Sequence, residues 1–166
     1  MVNIPEGITT IGKGAFSDCK ELIQISMPFV ENIEEGACRG CTSLASILCG
    51  KNGRLKTIGR DAFYECTKLD YFEMPNSLEI IERGAFWKSG YGFDSIIIPA
   101  NVKRIEQDAF NTNEVWDVTF KGTPEYISDH AFGYNTRNVA IFVPWSSGQV
   151  PGAPWGSTGG VYYNQK

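Results

Sequence analysis

Few residues of this chain have the type and spacing for chemistry. Cys38-Arg39-Gly40-Cys41 has the two-residue gap of a redox pair or of half a zinc site. No second ligand pair accompanies it, and His130 is the single histidine. One histidine with no Ser, Cys or carboxylate set around it offers no nucleophile and base. Glu34, Glu35, Asp61, Glu82, Glu106 and Asp108 supply carboxylates, as a glycosidase pair would require. All six, however, stand just before a recurring Ala, where solvated surface charge is expected. Gly12, Gly14, Gly36, Gly59 and Gly84 occupy the same turn, and no Gly-rich phosphate loop with its Lys-Ser/Thr follows them. The sequence therefore predicts no enzyme, and no catalytic, cofactor-binding or metal-binding residues.

What positions these residues is a repeat. The stretch from Ile4 to Ile25 recurs in altered form, and its Ala-Phe pair returns as Ala37-Cys38, Ala62-Phe63, Ala85-Phe86, Ala109-Phe110 and Ala131-Phe132, in steps of 22, 25, 23, 24 and 22 residues from Ala15. A period of that length marks a solenoid. Four residues before each Ala stands Ile11, Ile33, Ile58, Ile81, Ile105 or Ile127, and four after it Cys19, Cys41, Cys66, Ser89, Asn113 or Asn135. Leu22, Leu44 and Leu69 follow at seven, and most units close on an apolar-Pro pair such as Met27-Pro28, Met74-Pro75 or Ile98-Pro99. His130 occupies the position of Gly14, Gly36, Asp61, Gly84 and Asp108, so it reads as a variable repeat residue.

The segment typified by Leu22 to Met27 alternates apolar and polar from Gln24 onward, as a strand with one buried face does. Copies stacked in one direction pair as a parallel sheet, each coil completing its neighbour's core. The Gly-x-x-Ala-Phe-x-x-Cys part predicts a short turn, helical or 3₁₀, with Ala near the axis. A buried Phe covers roughly 150–250 Å², so the Phe column is expected to stabilise the stack most. Cys19, Cys38, Cys41, Cys49 and Cys66 all fall on repeat positions and read as small buried hydrophobes. Coils about 4.8 Å apart also bring column mates within reach of a disulfide.

Gly50 to Gly53 supply the extra turn behind the 25-residue step. Ser89 to Phe93 expand the fourth unit by one residue, with Phe93 in the Leu role, and Val115 to Phe120 form the fifth strand. Sequence periodicity stops at Pro144. The division predicted is a solenoid over 1–144 and a capping segment over 145–166, in which Trp145 and Trp155 plug the last coil and Val161-Tyr162-Tyr163 adds a strand. An aromatic carbohydrate-binding surface on Trp145 and Trp155 is the other reading of that tail. Ile4-Pro5 already has the form of a strand end, so the first coil is expected to stack on further repeats or on another molecule, self-association included.

The pattern of apolar-Pro, Ile-Gly, Ala-Phe, Cys, Leu and Ile in register over residues 4 to 144 resembles the BspA-like leucine-rich repeats of bacterial surface proteins. Cys38 in the Phe column, the missing apolar-Pro pair near Cys49-Gly50 and one-residue shifts in the fourth and fifth units depart from it. The resemblance implies a leucine-rich-repeat solenoid of about six right-handed coils. It also implies a cell-surface or extracellular setting, with adhesion to a host or neighbouring-cell surface protein.

Composition is compatible. The 166 residues carry a net charge of −4 and are 42% hydrophobic, enough for a sizeable core and without the basic footprint of a nucleic-acid binder. No apolar run is long enough to span a membrane, and Met1 to Pro5 lack the regions of a signal peptide. With Ile25 and Met27 inward, one outward column runs Gln24, Ser46, Tyr71, Ser95, Asp117, Ala140 and the other Ser26, Leu48, Glu73, Ile97, Thr119, Phe142. Apolar and aromatic residues interrupt a polar face there, as at a protein contact or in ordinary cross-strand packing. The expected binding residues are Gln24, Ser26, Leu48, Tyr71, Glu73, Ile97, Asp117, Thr119 and Phe142. A structural spacer within a longer or multi-chain assembly is the alternative role.

Overall fold

The computed structural model of the chain describes residues 1–50, 52–90, 95–111, 116–133, 139–157 and 159–165. The chain winds into a solenoid of short parallel strands, numbered in chain order. β1 (Val2–Asn3), β3 (Gln24–Ser26), β5 (Ser46–Leu48) and β7 (Tyr71–Phe72) form one sheet. β9 (Ser95–Ile98), β11 (Asp117–Phe120), β13 (Ala140–Phe142) and β14 (Val161–Tyr162) form another. The single stacked sheet expected for this wall is thus divided between β7 and β9. Phe93, Asn113, Val115 and Asn135 lie outside the described residues, and β11 begins at Asp117.

A second wall is one uninterrupted sheet of two-residue strands: β2 (Thr10–Ile11), β4 (Asn32–Ile33), β6 (Thr57–Ile58), β8 (Ile80–Ile81), β10 (Arg104–Ile105) and β12 (Tyr126–Ile127). Its register sets the Ile residues directly over one another, Ile11 on Ile33 and so on to Ile127. Each is buried, which explains why that column is invariant within the chain.

The third wall is the Gly-x-x-Ala-Phe-x-x-Cys segment, and it corrects the expectation of helical or 3₁₀ turns: no helix forms among the described residues. Left-handed residues break the run. Gly14 and Asp18, Gly36 and Gly40, Asp61 and Glu65, and Gly84 and Lys88 all have φ between 52° and 72°, so no helical turn can propagate through them. Amides alternate instead. Ala15, Ser17 and Cys19 donate three residues back within their coil, whereas Gly14, Phe16 and Asp18 donate to the Glu35, Ala37 and Arg39 carbonyls of the next.

Between these walls the rings of Phe63, Phe86, Phe110 and Phe132 stack at centroid spacings of 5.4, 5.4 and 5.8 Å, all of them buried. All five cysteines are free thiols, and Cys19 is exposed. Calling the column hydrophobic filler misses part of its role. Cys41 Sγ donates to the Phe16 carbonyl at 3.0 Å and Cys66 Sγ to the Cys38 carbonyl at 3.2 Å, and Ser89 Oγ donates to the Phe63 carbonyl. Each adds a second donor to a carbonyl of the preceding coil that already accepts a backbone N–H, from Cys19, Cys41 and Cys66 in turn.

Beyond residue 144 the coil pattern persists although the sequence pattern does not. Trp155 takes the place of the recurring Ala, donating its N–H to Gly152 and accepting the Phe132 N–H at 3.0 Å, as Ala131 accepts that of Phe110. β14 pairs parallel with β13.

Candidate functional site

Strand parity decides which side chains the divided wall presents. In the run Ile96-Ile97-Ile98 the three residues are chemically identical, yet Ile96 and Ile98 are buried and Ile97 is 57% exposed, because successive side chains point to opposite faces. The same rule turns Ile25 and Ile47 inward and sets Gln24, Ser46 and Tyr71 in one outward row, with Ser26 and Leu48 beside it. On the other sheet Ser95, Asp117 and Ala140 form one row, and Ile97, Thr119, Phe142 and Tyr162 the next.

The nine expected residues therefore fall on one face, but in two groups. Gln24, Ser26, Leu48 and Tyr71 stand on the first sheet and Ile97, Asp117, Thr119 and Phe142 on the other, while Glu73 follows directly after β7. Only Tyr71, Glu73 and Ile97 of the nine are exposed, and the rest are half-buried. Phe142 stacks on Tyr162 at 5.0 Å, so its ring is engaged in cross-strand packing.

Tyr71 and Glu73 form a ridge, the Tyr71 hydroxyl donating to the Glu73 carboxylate at 3.3 Å. On one side an open groove of about 410 Å³ runs along Leu48, Cys49 and Gly50. On the other a cleft of about 430 Å³ occupies the gap between β7 and β9, with Met74, Ile97 and Pro99 supplying apolar walls and Asp70, Asn76 and Ser95 polar ones. Asp70, Met74, Trp116, Tyr162 and Lys121 were missed in the sequence. Tyr162 was readable from strand parity in the tail, and exposed Trp116 immediately precedes β11.

Charge on the strand face differs from that beside the Ile sheet. Beside the Ile sheet, Lys56 pairs with Glu31 and Lys103 with Glu79, each at 2.7 Å. Lys13 holds Glu35 at 2.8 Å. The lysine hydrogen bond, with its charge, lowers the pKa of Glu31, Glu35 and Glu79 below the ordinary carboxylate value. Glu34 and Glu82 accept the backbone N–H of Lys13 and Arg60, and Asp61 lies 3.8 Å from Arg39. These turn carboxylates join coil to coil. By contrast Asp70, Glu73 and Asp117, on the strand face, make no ion pair among the described residues.

The two tryptophans of the tail form no such surface. Trp145 and Trp155 are buried, their rings packing on Phe120 at 5.1 and 6.3 Å, and Trp155 Nε1 donates to the Pro151 carbonyl. Neither indole presents a face to a sugar. Among the cysteines, burial pushes the Cys49 thiol up to about 12 and raises that of Cys66 as well. The hydrogen bond between Cys38 and Cys41 raises the former and lowers the latter. No helix among the described residues is long and apolar enough to cross a membrane.

Comparison with known proteins gives a consistent picture. A family model described as the BspA type Leucine rich repeat region matches in 6 copies over residues 1–91 and 31–149. A leucine rich repeat protein from T. pallidum superposes with a TM-score of 0.73 at 22% identity, covering 97% of this chain and 72% of that one. A leucine rich cell surface protein from Faecalibacterium prausnitzii gives 0.68 at 20% identity over 99% of this chain and 48% of its own. A leucine-rich repeat protein from Bacteroides ovatus gives 0.58 at 22% identity over 86% and 41%. The chain thus spans less than half the length of the last two. No curated protein matches.

Proposed function

The chain belongs to the BspA-type leucine-rich repeat family, and from that premise we propose that it is a noncatalytic recognition module which binds protein through the outward face of its divided strand wall. The observation that carries this reading is the placement of Tyr71 and Ile97, 49% and 57% exposed, on the two sides of the cleft. Large apolar side chains left in water beside a concavity are the usual anchors of a protein contact. Gln24, Ser26, Leu48, Asp117, Thr119 and Phe142 form the half-buried surround that would exclude water from it. A cell-surface or extracellular setting fits this reading, since one of the structural relatives is described as a cell surface protein. A host or neighbouring-cell surface protein is the partner proposed. The first coil, with Ala15 exposed and Phe16 half-buried, offers a separate apolar surface on which a second copy could stack.

The test is capture from host-matrix and bacterial-envelope extracts by the parent and by a Tyr71→Asp/Ile97→Asp variant, both checked for folding by circular dichroism. A partner retained only by the parent supports recognition through this face. Equal capture by both, or none by either, overturns it and leaves the spacer role.

A further inference from the structure

We propose that the gap between β7 and β9 seats an extended, basic polypeptide segment of the partner, laid against the two unpaired strand edges with a lysine or arginine side chain over Glu73 and Asp70. This rests on the strand face being the protein-binding surface and states what that surface takes.

The gap is local. Behind it β6, β8 and β10 pair without interruption, and the Phe63 and Phe86 rings of the same two coils stack at 5.4 Å. The coils are therefore in contact through the core and through the second wall, and among the described residues they part at the outward face. There β7 pairs with β5 and β9 with β11, but among the described residues neither pairs with the other. Tyr71 turns its N–H back to the Ala45 carbonyl at 3.1 Å. The alternation of the strand then aims the Phe72 N–H and C=O at β9. Unpaired strand edges are templates for an added extended chain, and peptide recognition by edge pairing uses them in this way.

Size and chemistry narrow the occupant. At about 430 Å³ the cleft falls within the range of roughly 300–1,000 Å³ typical of ligand sites. Met74, Ile97 and Pro99 suit apolar side chains on one face of an extended segment, whose alternate side chains reach the ridge. Glu73 and Asp70 carry charge that no cation among the described residues pairs with, in contrast to Glu31 and Glu79 beside the Ile sheet. Lys121 is the single cation lining the cleft among the described residues. An acidic segment would meet two carboxylates on the β7 side, whereas a basic one supplies the missing partner.

The experiment is selection of displayed random ten-residue peptides on the intact protein, followed by binding of the selected peptides to Glu73→Lys. Glu73 is exposed, so the substitution leaves the core untouched, and circular dichroism checks this. Expected is a pool rich in Lys and Arg alternating with apolar residues. Binding should weaken about tenfold or more on Glu73→Lys, since like charges oppose at a contact, and also on N-methylation of alternate peptide amides. Selected peptides that are acidic or uncharged, that bind Glu73→Lys equally, or that tolerate N-methylation overturn the inference, as does absence of any selection. If capture of a protein partner still depends on Tyr71 and Ile97 in those cases, the cleft assignment fails and the wider face reading stands.

Discussion

Cys66 shows what a single position contributes. Its side chain is buried and donates to the Cys38 carbonyl. Cys66→Ser keeps a donor there and should change stability by less than about 1 kcal/mol. Cys66→Val removes the thiol's bond while the Cys38 carbonyl keeps the Cys41 N–H, and should cost about 0.5–1.5 kcal/mol, read as a shift in the urea midpoint. Thiol chemistry should separate the column as well. Cys19 is exposed, whereas the other four cysteines are buried and Cys49 titrates only near 12. One thiol per chain should therefore react rapidly with an aromatic disulfide reagent at pH 8, and five after unfolding; fast labelling of two or more in the native protein would contradict the burial described. The sequence placed these residues correctly in a column but not their bonds, because the acceptor belongs to another coil. Ser89, Asn113 and Asn135 in the same column were the available clue, since each is a donor.

At the scale of elements, the outward and inward rows of the strands were legible from alternation alone, as Ile96, Ile97 and Ile98 show. The Ile sheet was not. Its strands are two residues long, too short for alternation to register, although the unbroken Ile column marked its inner row. Nor were the turns, where residues such as Asp61, Glu65 and Lys88 adopt left-handed φ that their types do not announce. The division of the strand wall came from no residue pattern. The ion pairs beside the Ile sheet give a prediction of their own. Glu31, Glu35 and Glu79 have pKa values lowered in the folded state by Lys56, Lys13 and Lys103. The stability they contribute is present above their unfolded value of about 4.3 and is lost as pH falls through the lower folded values. The thermal midpoint should drop on acidification from about pH 5 towards pH 3, and Lys56→Ala/Lys103→Ala should flatten that drop. An unchanged slope in the double variant would remove these pairs from the account.

Over the whole molecule, we propose that residues 145–166 cap the solenoid. Trp155 is wholly buried at the place of the recurring Ala, and Gly156, at φ 87°, lies so close to the preceding coil that a Cβ would stand 2.6 Å from the Gly133 carbonyl oxygen. Trp155→Ala should cost about 3–5 kcal/mol, and Gly156→Ala should destabilise by at least about 1 kcal/mol because both its φ and its clearance exclude a side chain. Denaturant unfolding checks both, and a neutral Gly156→Ala would show that the tail is not held against the last coil. The turn wall has one further consequence. Its inter-coil amides all point from each coil to the next, from Gly14, Phe16 and Asp18 onward to Phe132, so the peptide dipoles add along the solenoid axis instead of cancelling. One end of the wall is a row of acceptors on Lys13, Ala15 and Ser17, and the other ends in donors that the Trp155 carbonyl helps to meet. The two ends are thus chemically unlike, and a chain stacking on the first coil must approach with its N–H groups leading.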